Sequence, residues 1–480
     1  MGAPVTHLPA PGEPNWSGLR VVVAGIGIAG FACADAMLER GAQVTVVDDN
    51  DGADQRNRAQ ILEVLGATVR LGDGRTLPDA DLLVVSPGLP PSAPIIRAAA
   101  QQAMPIWGEL EVAWRVRDPQ GAPWLFVTGT NGKTTTTLML ASMLRAAGLR
   151  TDAVGNIGVS LVSAVLDPQP YDVLAVEVGA PQLPFVHTVS PYSAACLNLA
   201  EDHVDFFGSF GDYRAAKARV FERTQVACVY NSQDRATMRM VEEAEVIEGC
   251  RAIGFTLGIP GRSEVGVVED ILADRAFLEE RQTHALELCT VKDVHPPVPH
   301  QIANALAAAA LARSFGVPPA AVGKGLREFQ PAAHRIADVG TVNGVLYVDD
   351  SKATNAHAAD MSLRAYDSVV WIAGGLAKGQ TFDDLVTRHA RRLRAVVLLG
   401  ADRHLIREAL QRHAPDVPVV EVTGTDTGAM RDVVRAAADS AVPGDTVLLA
   451  PGCASWDMFT DYAQRGRTFA AAVADLGVDD

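Results

Sequence analysis

Short apolar, β-branched runs alternate with longer helix-compatible stretches along most of the chain, a pattern that predicts α/β architecture with largely parallel sheets. Arg20–Ala24 (RVVVA), Val44–Val47 and Leu82–Val85 read as buried strands, with a helical stretch running to Arg40 between the first two. Leu125–Val127 and Asp172–Val178 read as strands of a second segment, and Leu138–Leu144, Asp212–Glu222 and the alanine-rich Ile302–Arg313 as its helices. Asn231 to His300 carries several glycines and weak strands and yields no clear pattern. After Pro331 the alternation is regular. Strands are predicted at Val345–Val348, Val369–Ala373, Val396–Leu399, Val417–Val420 and Val447–Ala450. Helices are predicted at His357–Ala365, Phe382–Leu393, Arg403–His413, Thr427–Ser440 and Met458–Leu476. A Pro- and Gly-containing stretch, Arg115 to Pro123, separates the first two segments. The expectation is three domains: a Rossmann-like one over 1–115, a P-loop ATPase-like one over 116–330, and a doubly wound Rossmann-like one over 331–480.

Composition narrows the function classes. A chain of 480 residues has room for three domains, each with its own core. The net charge of −16, from 41 basic and 57 acidic side chains, argues against nucleic acid or an anionic membrane as the main partner. Six scattered cysteines without a C-x-x-C pair suit reduced thiols better than a disulfide frame or a zinc site. No apolar run approaches the roughly 18 residues of a membrane span, so a cytoplasmic, non-inserted protein is expected.

Chemistry is concentrated where strands end. Trp124 to Thr137 (WLFVTGTNGKTTTT) runs from strand through a glycine loop into a helix, the order that a nucleoside-triphosphate cradle requires. The compact G-T-N-G-K-T loop lacks the first glycine of the general pattern, since Val127 stands there. Gly129, Thr130, Asn131, Gly132, Lys133, Thr134 and Thr135 would cradle ATP, with Lys133 on the β- and γ-phosphates and the Thr134 hydroxyl on Mg²⁺. Glu177, near the end of an apolar strand, fits a second anchor for that ion. On local grounds His203 reads equally well as structural or functional, whereas for Lys217, on a predicted helix, a solvated face is the default reading. Gly25, Gly27 and Gly30 fit G-x-G-x-x-G, with Asp48 closing the next strand. Ser86-Pro87-Gly88 forms another strand-end turn of that segment. In the third segment, Asp349 to Asn355, Gly374 to Gly379 and Pro451 to Ser455 are polar loops that share one sheet edge and read as one site.

Together G-T-N-G-K-T, EDH, YRAAK, His334-Arg335, DDSKATN, GGLAKG and CAS resemble the Mur ligase family of ATP-dependent amide ligases, over all three domains in the same order. The resemblance implies that ATP phosphorylates the carboxylate of UDP-N-acetylmuramoyl-L-alanine and that the amine of D-glutamate attacks the acyl phosphate, in peptidoglycan synthesis. It implies that Lys133, Glu177, His203 and Lys217 serve catalysis, and that Thr134, Glu177, His203 and a carbamylated Lys217 hold two Mg²⁺ ions. Asn304, Arg335, Asp350 and Lys352 match nucleotide contacts. Thr354, Lys378, Ser455 and Tyr462 match positions around D-glutamate, and His203 also a substrate contact. Gly27, Ile28, Asp48, Ser86, Gly88 and Asn156 match the uridine nucleotide face, so the first glycine turn would hold UDP and not NAD. A monomer is expected.

Departures exist. Glu177-Val178-Gly179-Ala180-Pro181-Gln182-Leu183 replaces the family's serine-rich run, Asp49 and Asn50 stand where some relatives have a basic residue, and Leu376 where some have an acid. Competing readings are another Mur-type ligase, a folylpolyglutamate synthase-like ligase, and a non-catalytic nucleotide sensor. The last is disfavoured because Glu177, His203, Lys217, Lys352 and Lys378 are all present.

Overall fold

The β-branched runs do form strands, and these assemble into three separate sheets. The structure, a computed structural model, describes residues 8–202, 204–330 and 334–476. The chain divides into two compact units, residues 1–297 with 301–329, and residues 298–300 with 330–480. The first holds two sheets and the second holds one.

The first sheet comprises β1 (Arg20–Ala24), β2 (Gln43–Asp48), β3 (Thr68–Leu71), β4 (Leu82–Val85) and β5 (Ile106–Gly108). All are parallel, in the order β3-β2-β1-β4-β5. Alternate residues serve opposite faces. Val21, Val23, Val46 and Val84 pack with Met37 and Leu62 of α1 (Ile28–Glu39) and α2 (Ala53–Val64). Val22, Val47, Leu83 and Val85 pack with Ile95, Ile96 and Ala99 of α3 (Pro94–Gln101). Strands buried on both faces need continuous apolar runs, which is why these were legible. The strand order reverses between β1 and β4, so the loops after these two strands face the crevice at the switch point.

Where a linker was expected, α4 (Glu109–Val116) runs on to Val116. Two of its carboxylates are buried. Glu111 accepts hydrogen bonds from Arg115 Nε at 2.9 Å, the Thr188 hydroxyl at 2.6 Å and the backbone N–H groups of His187 and Thr188 at 2.8 and 2.9 Å. Glu109 accepts from the Ser160 hydroxyl at 2.7 Å and Leu161 N at 2.8 Å. These contacts fasten the end of the first sheet's segment to the second.

The second sheet contains β6 (Trp124–Thr128), β7 (Ala153–Gly155), β8 (Leu174–Glu177), β9 (Ser193–Cys196), β10 (Ala227–Asn231), β11 (Arg251–Phe255), β12 (Glu264–Val268), β13 (Ile271–Asp274) and β14 (Leu286–Thr290). Their order is β14-β13-β12-β11-β10-β9-β6-β8-β7, antiparallel only at the β12–β13 and β13–β14 pairs. The stretch without a sequence pattern therefore supplies the sheet's far end. Helices α5 (Lys133–Ala146), α6 (Leu161–Val165), α7 (Val204–Phe207), α8 (Phe210–Ala218), α9 (Arg235–Glu242), α10 (Pro299–Ser314) and α11 (Pro319–Glu328) accompany it. Ala305 to Ala312 of α10 are all buried, and the small side chains let this helix lie within the core.

The third sheet comprises β15 (Ala337–Val342), β16 (Val345–Asp349), β17 (Val369–Gly374), β18 (Leu393–Leu399), β19 (Val419–Glu421) and β20 (Thr446–Leu449), in the order β15-β16-β20-β17-β18-β19. Only β15–β16 is antiparallel. Helices α12 (Ala356–Leu363), α13 (Asp383–His389), α14 (Arg403–His413), α15 (Ala429–Ser440) and α16 (Tyr462–Leu476) cover both faces, around two apolar clusters. Buried Asp360 of α12 joins α13 by accepting from His389 Nε2 at 2.8 Å and Arg388 Nη1 at 2.6 Å, with Arg364 at 2.7 Å. Burial alone would raise its pKa, but the His389 and Arg388 hydrogen bonds outweigh this and bring it down to about 2, from 3.8.

A folded-state value below the unfolded one means that Asp360 contributes stability in full above about pH 4, fading as the pH falls towards 2. Asp360→Asn is expected to cost about 2 kcal/mol at neutral pH and to flatten the pH dependence of urea unfolding across that window. An unfolding midpoint unchanged at pH 7 would contradict this.

Candidate functional site

The phosphate loop follows β6, and parallel pairing decides its surroundings. In register, Val127 of β6 lies beside Glu177 of β8, and Thr128 lies beside Cys196 of β9. Residues just past those strand ends therefore flank the loop. Asn198, after β9, accepts from Asn131 N at 2.9 Å and donates to Asn131 O at 3.1 Å, while Thr130 N donates to Asn198 O at 3.1 Å. Gly132 adopts a φ of +84° immediately before α5, and a Cβ there would stand 2.4 Å from the Asn304 carboxamide oxygen. Only glycine fits that turn. Lys133 opens α5 and its ammonium donates to Gly129 O and Thr130 O, both at 2.9 Å.

Glu177 is buried at the foot of this loop. One of its oxygens accepts from the Thr134 hydroxyl at 2.6 Å and the other from Asn156 Nδ2 at 2.8 Å. Asn156 thus stands with the phosphate loop, through β7–β8 pairing of Gly155 with Glu177. A hydroxyl and a carboxylate converging in this way form a hard-oxygen pair of the type Mg²⁺ prefers. Among the described residues no group of three or more His, Cys, Asp or Glu side chains forms a metal cluster. His203 lies outside the described residues.

Lys217, on α8, is buried, with its ammonium 3.4 Å from the Thr128 hydroxyl and 5.0 Å from the ring centroid of Tyr213. Burial, reinforced by the charge of Lys133, lowers its pKa to about 7. Tyr213 in turn contacts the Thr130 hydroxyl at 2.9 Å, joining α8 to the loop. Sequence reading did not single out Asn198 or Tyr213. The signal for Asn198 was its place just past a strand beside the loop, and for Tyr213 its presence in YRAAK.

In the first sheet, Gly25 (φ +99°) turns the chain after β1. A Cβ on Gly30 would lie 1.9 Å from Gly25 O, so helix α1 packs directly on the turn. Asp48 accepts from Ile26 N at 2.8 Å and Asn50 N at 2.8 Å, fixing this loop through its carboxylate. Ser86 donates to Gly25 O at 3.2 Å. Nothing stands within 4 Å of the Cβ positions of Gly27 and Gly88, and the Ile28 side chain is exposed. Gly27, Ile28, Asp48 and Ser86 share one loop cluster, whereas Asn156 stands with Glu177 at the phosphate loop.

The three polar loops of the third sheet follow β16, β20 and β17, which are adjacent. Buried Arg465 ties the loop after β16 to the loop after β20, donating to Ser351 O at 2.7 Å, Ser351 Oγ at 2.9 Å and Cys453 O at 3.1 Å. Asp349 accepts from His334 Nδ1 at 2.6 Å and Ser351 N at 2.9 Å. Asp350 is buried against the Ser362 hydroxyl, and burial pushes its pKa up to about 6, opposed by Ser362 and by the charge of Arg335. The Lys352 ammonium lies 3.8 Å from the Tyr462 ring centroid, and Thr354 N donates to Lys352 O at 2.8 Å. Ser455 is buried, whereas Lys378 is exposed with its ammonium 4.2 Å from the Trp456 ring.

A cavity of about 710 Å³ lined by Tyr192, Arg251, Arg313 and Phe315 opens at the amino ends of the second sheet's strands, away from the phosphate loop. Arg251 there is bonded to Ala276 O, and Arg313 to Asp274 and Val317 O, which makes these two braces of β13 and α10. No helix of the described residues is long and apolar enough to cross a membrane.

Residues 19–108 match the profile of the Mur ligase MurD-like N-terminal domain, 127–312 the Mur ligase middle domain, and 334–453 the Mur ligase glutamate ligase domain. The chain is 61% identical to UDP-N-acetylmuramoylalanine–D-glutamate ligase of Streptomyces avermitilis, covering 96% of this chain and 99% of that one. It is 54% identical to the enzyme of the same name from Thermobifida fusca, with 96% and 99% coverage. Among solved structures, a pseudomurein peptide ligase type C from Methanothermus fervidus shares the fold at 15% identity, with a TM-score of 0.59 and coverage of 95% and 100%. UDP-N-acetylmuramate-alanine ligase from Thermotoga maritima does so at 18% identity, with a TM-score of 0.55 and coverage of 95% and 99%. With three matching domains in order and full-length relatives at such identity, the chain belongs to the Mur ligase family.

Proposed function

We propose that this chain joins D-glutamate to UDP-N-acetylmuramoyl-L-alanine in an ATP-dependent reaction that passes through an acyl phosphate. The observation that carries this reading is the Lys133–Thr134–Glu177 constellation at the end of β6, in a chain 61% identical to a D-glutamate ligase across nearly its whole length. The nucleotide-bearing substrate takes the loop cluster of Gly27, Ile28, Asp48, Ser86 and Gly88. ATP takes the phosphate loop, with Asn304 at its adenine; Arg335, Asp350 and Lys352 match the family's contacts to γ-phosphate, ribose and a nearby phosphate. Thr354, Lys378, Ser455 and Tyr462 receive D-glutamate.

A substrate carboxylate oxygen attacks the γ-phosphorus, ADP leaves, and the amine of D-glutamate then attacks the acyl carbon and expels phosphate. Most of the protein's work is positioning and neutralising charge during in-line transfer. Lys133 leaves its loop carbonyls to pair with phosphate oxygens. The Thr134 hydroxyl and Glu177 carboxylate fit Mg²⁺, which would offset phosphate charge, and Asn156 holds the other Glu177 oxygen in place. His203 and a carbamate on Lys217 would serve a second ion. The family position of Lys217 and its burial beside Thr128 support the modification, in which the neutral amine adds to CO₂ and releases one proton. Its lowered pKa keeps much of the amine neutral near pH 7.

Phosphate release by the pure protein with ATP and UDP-N-acetylmuramoyl-L-alanine should require D-glutamate out of a panel containing L-glutamate, meso-diaminopimelate and L-lysine. Release with L-lysine or only with a folate would overturn the assignment. Lys133→Ala should reduce turnover by about a thousandfold or more, and near-normal turnover would contradict the role of the loop. Lys217→Ala should lose activity and regain part of it on addition of short-chain carboxylates. Absence of rescue in a folded variant would remove the support for the carbamate.

A further inference from the structure

We infer that Trp456 is a positioning residue for the acceptor amino acid, acting through the ammonium of Lys378. The inference rests on the reading that Lys378 and Ser455 face D-glutamate. It adds a residue that neither the motifs nor the resemblance singled out.

The loops carrying the two side chains are built as one unit. They follow β17 and β20, which are neighbours in register from Val369 with Thr446 to Ile372 with Leu449. Leu376 N donates to Ala454 O and Ala454 N to Leu376 O, both at 2.9 Å. Both loops are also pinned to a single turn after β18. Ala377 N donates to Asp402 Oδ2 at 2.8 Å, and Ala401 N donates to Asp457 Oδ2 at 2.8 Å. The residues immediately before Lys378 and after Trp456 are therefore held by the segment Gly400–Asp402. Lys378 itself sits at a φ of +53°, a region that a residue with a Cβ occupies only when its surroundings enforce it.

That backbone brings the Lys378 ammonium to 4.2 Å from the Trp456 ring centroid. Trp456 is 64% exposed, whereas Trp16, Trp107, Trp114, Trp124 and Trp371 are all buried. Five tryptophans thus serve cores, and the sixth lies open beside a buried serine of the proposed acceptor site. An indole in that place offers two things. Its ring face attracts and localises the ammonium, and its apolar surface excludes water from one side of the cation. A small dicarboxylic amino acid matches both, because its side-chain carboxylate can pair with Lys378 while its two methylenes lie on the indole. The pairing is stronger beside an apolar wall than in open water.

Steady-state kinetics on three variants test this. Trp456→Ala should raise KM for D-glutamate about three- to tenfold, leaving kcat and the KM values for ATP and UDP-N-acetylmuramoyl-L-alanine near wild type. Trp456→Phe should restore most of that loss, since a phenyl face retains part of the attraction. Lys378→Ala should raise KM for D-glutamate further, and adding Trp456→Ala to it should bring little more, as expected of residues acting in series. An unchanged D-glutamate KM in Trp456→Ala, with Lys378→Ala impaired, would overturn the inference alone. An unchanged D-glutamate KM in Lys378→Ala would overturn the underlying placement of the acceptor and the inference with it.

Discussion

The parallel pairing of β6 with β8 on one side and β9 on the other is the constraint from which the rest of the phosphate site follows. It sets Glu177 beside Val127 and Cys196 beside Thr128, so the chain just beyond each strand flanks the same loop. Glu177 then meets the Thr134 hydroxyl, and Asn198 meets the backbone of Asn131. A register slip of one residue would turn Glu177 to the opposite face, into the apolar layer that now holds Val176. The site is thus specified by the same apolar contacts that specify the core.

Each sheet contributes in a different way. The first presents a glycine turn closed by its own carboxylate, Asp48, which leaves the turn ordered and Gly27 open to a ligand. The second concentrates charge in a buried setting, where Lys133 and Lys217 stand close enough for one to depress the other's pKa. The third ties three loops together through buried Arg465 and the Leu376–Ala454 hydrogen bonds. Such cross-linked loops can hold exposed groups like Lys378 and Trp456 in fixed positions, which a single flexible turn could not. The overall charge of −16 does not set the field at these lysines, whose immediate surroundings do.

Strands buried on both faces were readable because their apolar runs are uninterrupted, as in Val21–Ala24 and Val369–Ala373. The antiparallel end of the second sheet was not, because β12 and β13 mix buried and half-buried positions and are joined by a short hairpin around Glu269 and Asp270. Helix α4 was hidden by its buried Glu109 and Glu111, which apart from Arg115 are satisfied by Ser160, Leu161, His187 and Thr188, dozens of residues away. Lys133, Thr134 and Glu177 were legible from motif and strand context. Asn156 was assigned by resemblance to the uridine face, and its contact with Glu177 depends on β7–β8 pairing that a three-residue strand does not announce. Asn198 offers only its place just past a strand, and Trp456 carries no local pattern. Their roles arise only from what the sheets place beside them.

The central claim is that ATP is spent on phosphorylating a substrate carboxyl group held for attack by an amine. The most direct measurement supplies UDP-N-acetylmuramoyl-L-alanine with ¹⁸O in its alanyl carboxylate and follows the isotope by mass spectrometry after turnover with ATP and D-glutamate. Phosphate carrying one ¹⁸O atom from that carboxylate is the expected result. Unlabelled phosphate, with all the isotope retained in the peptide product or lost to water, would contradict the account.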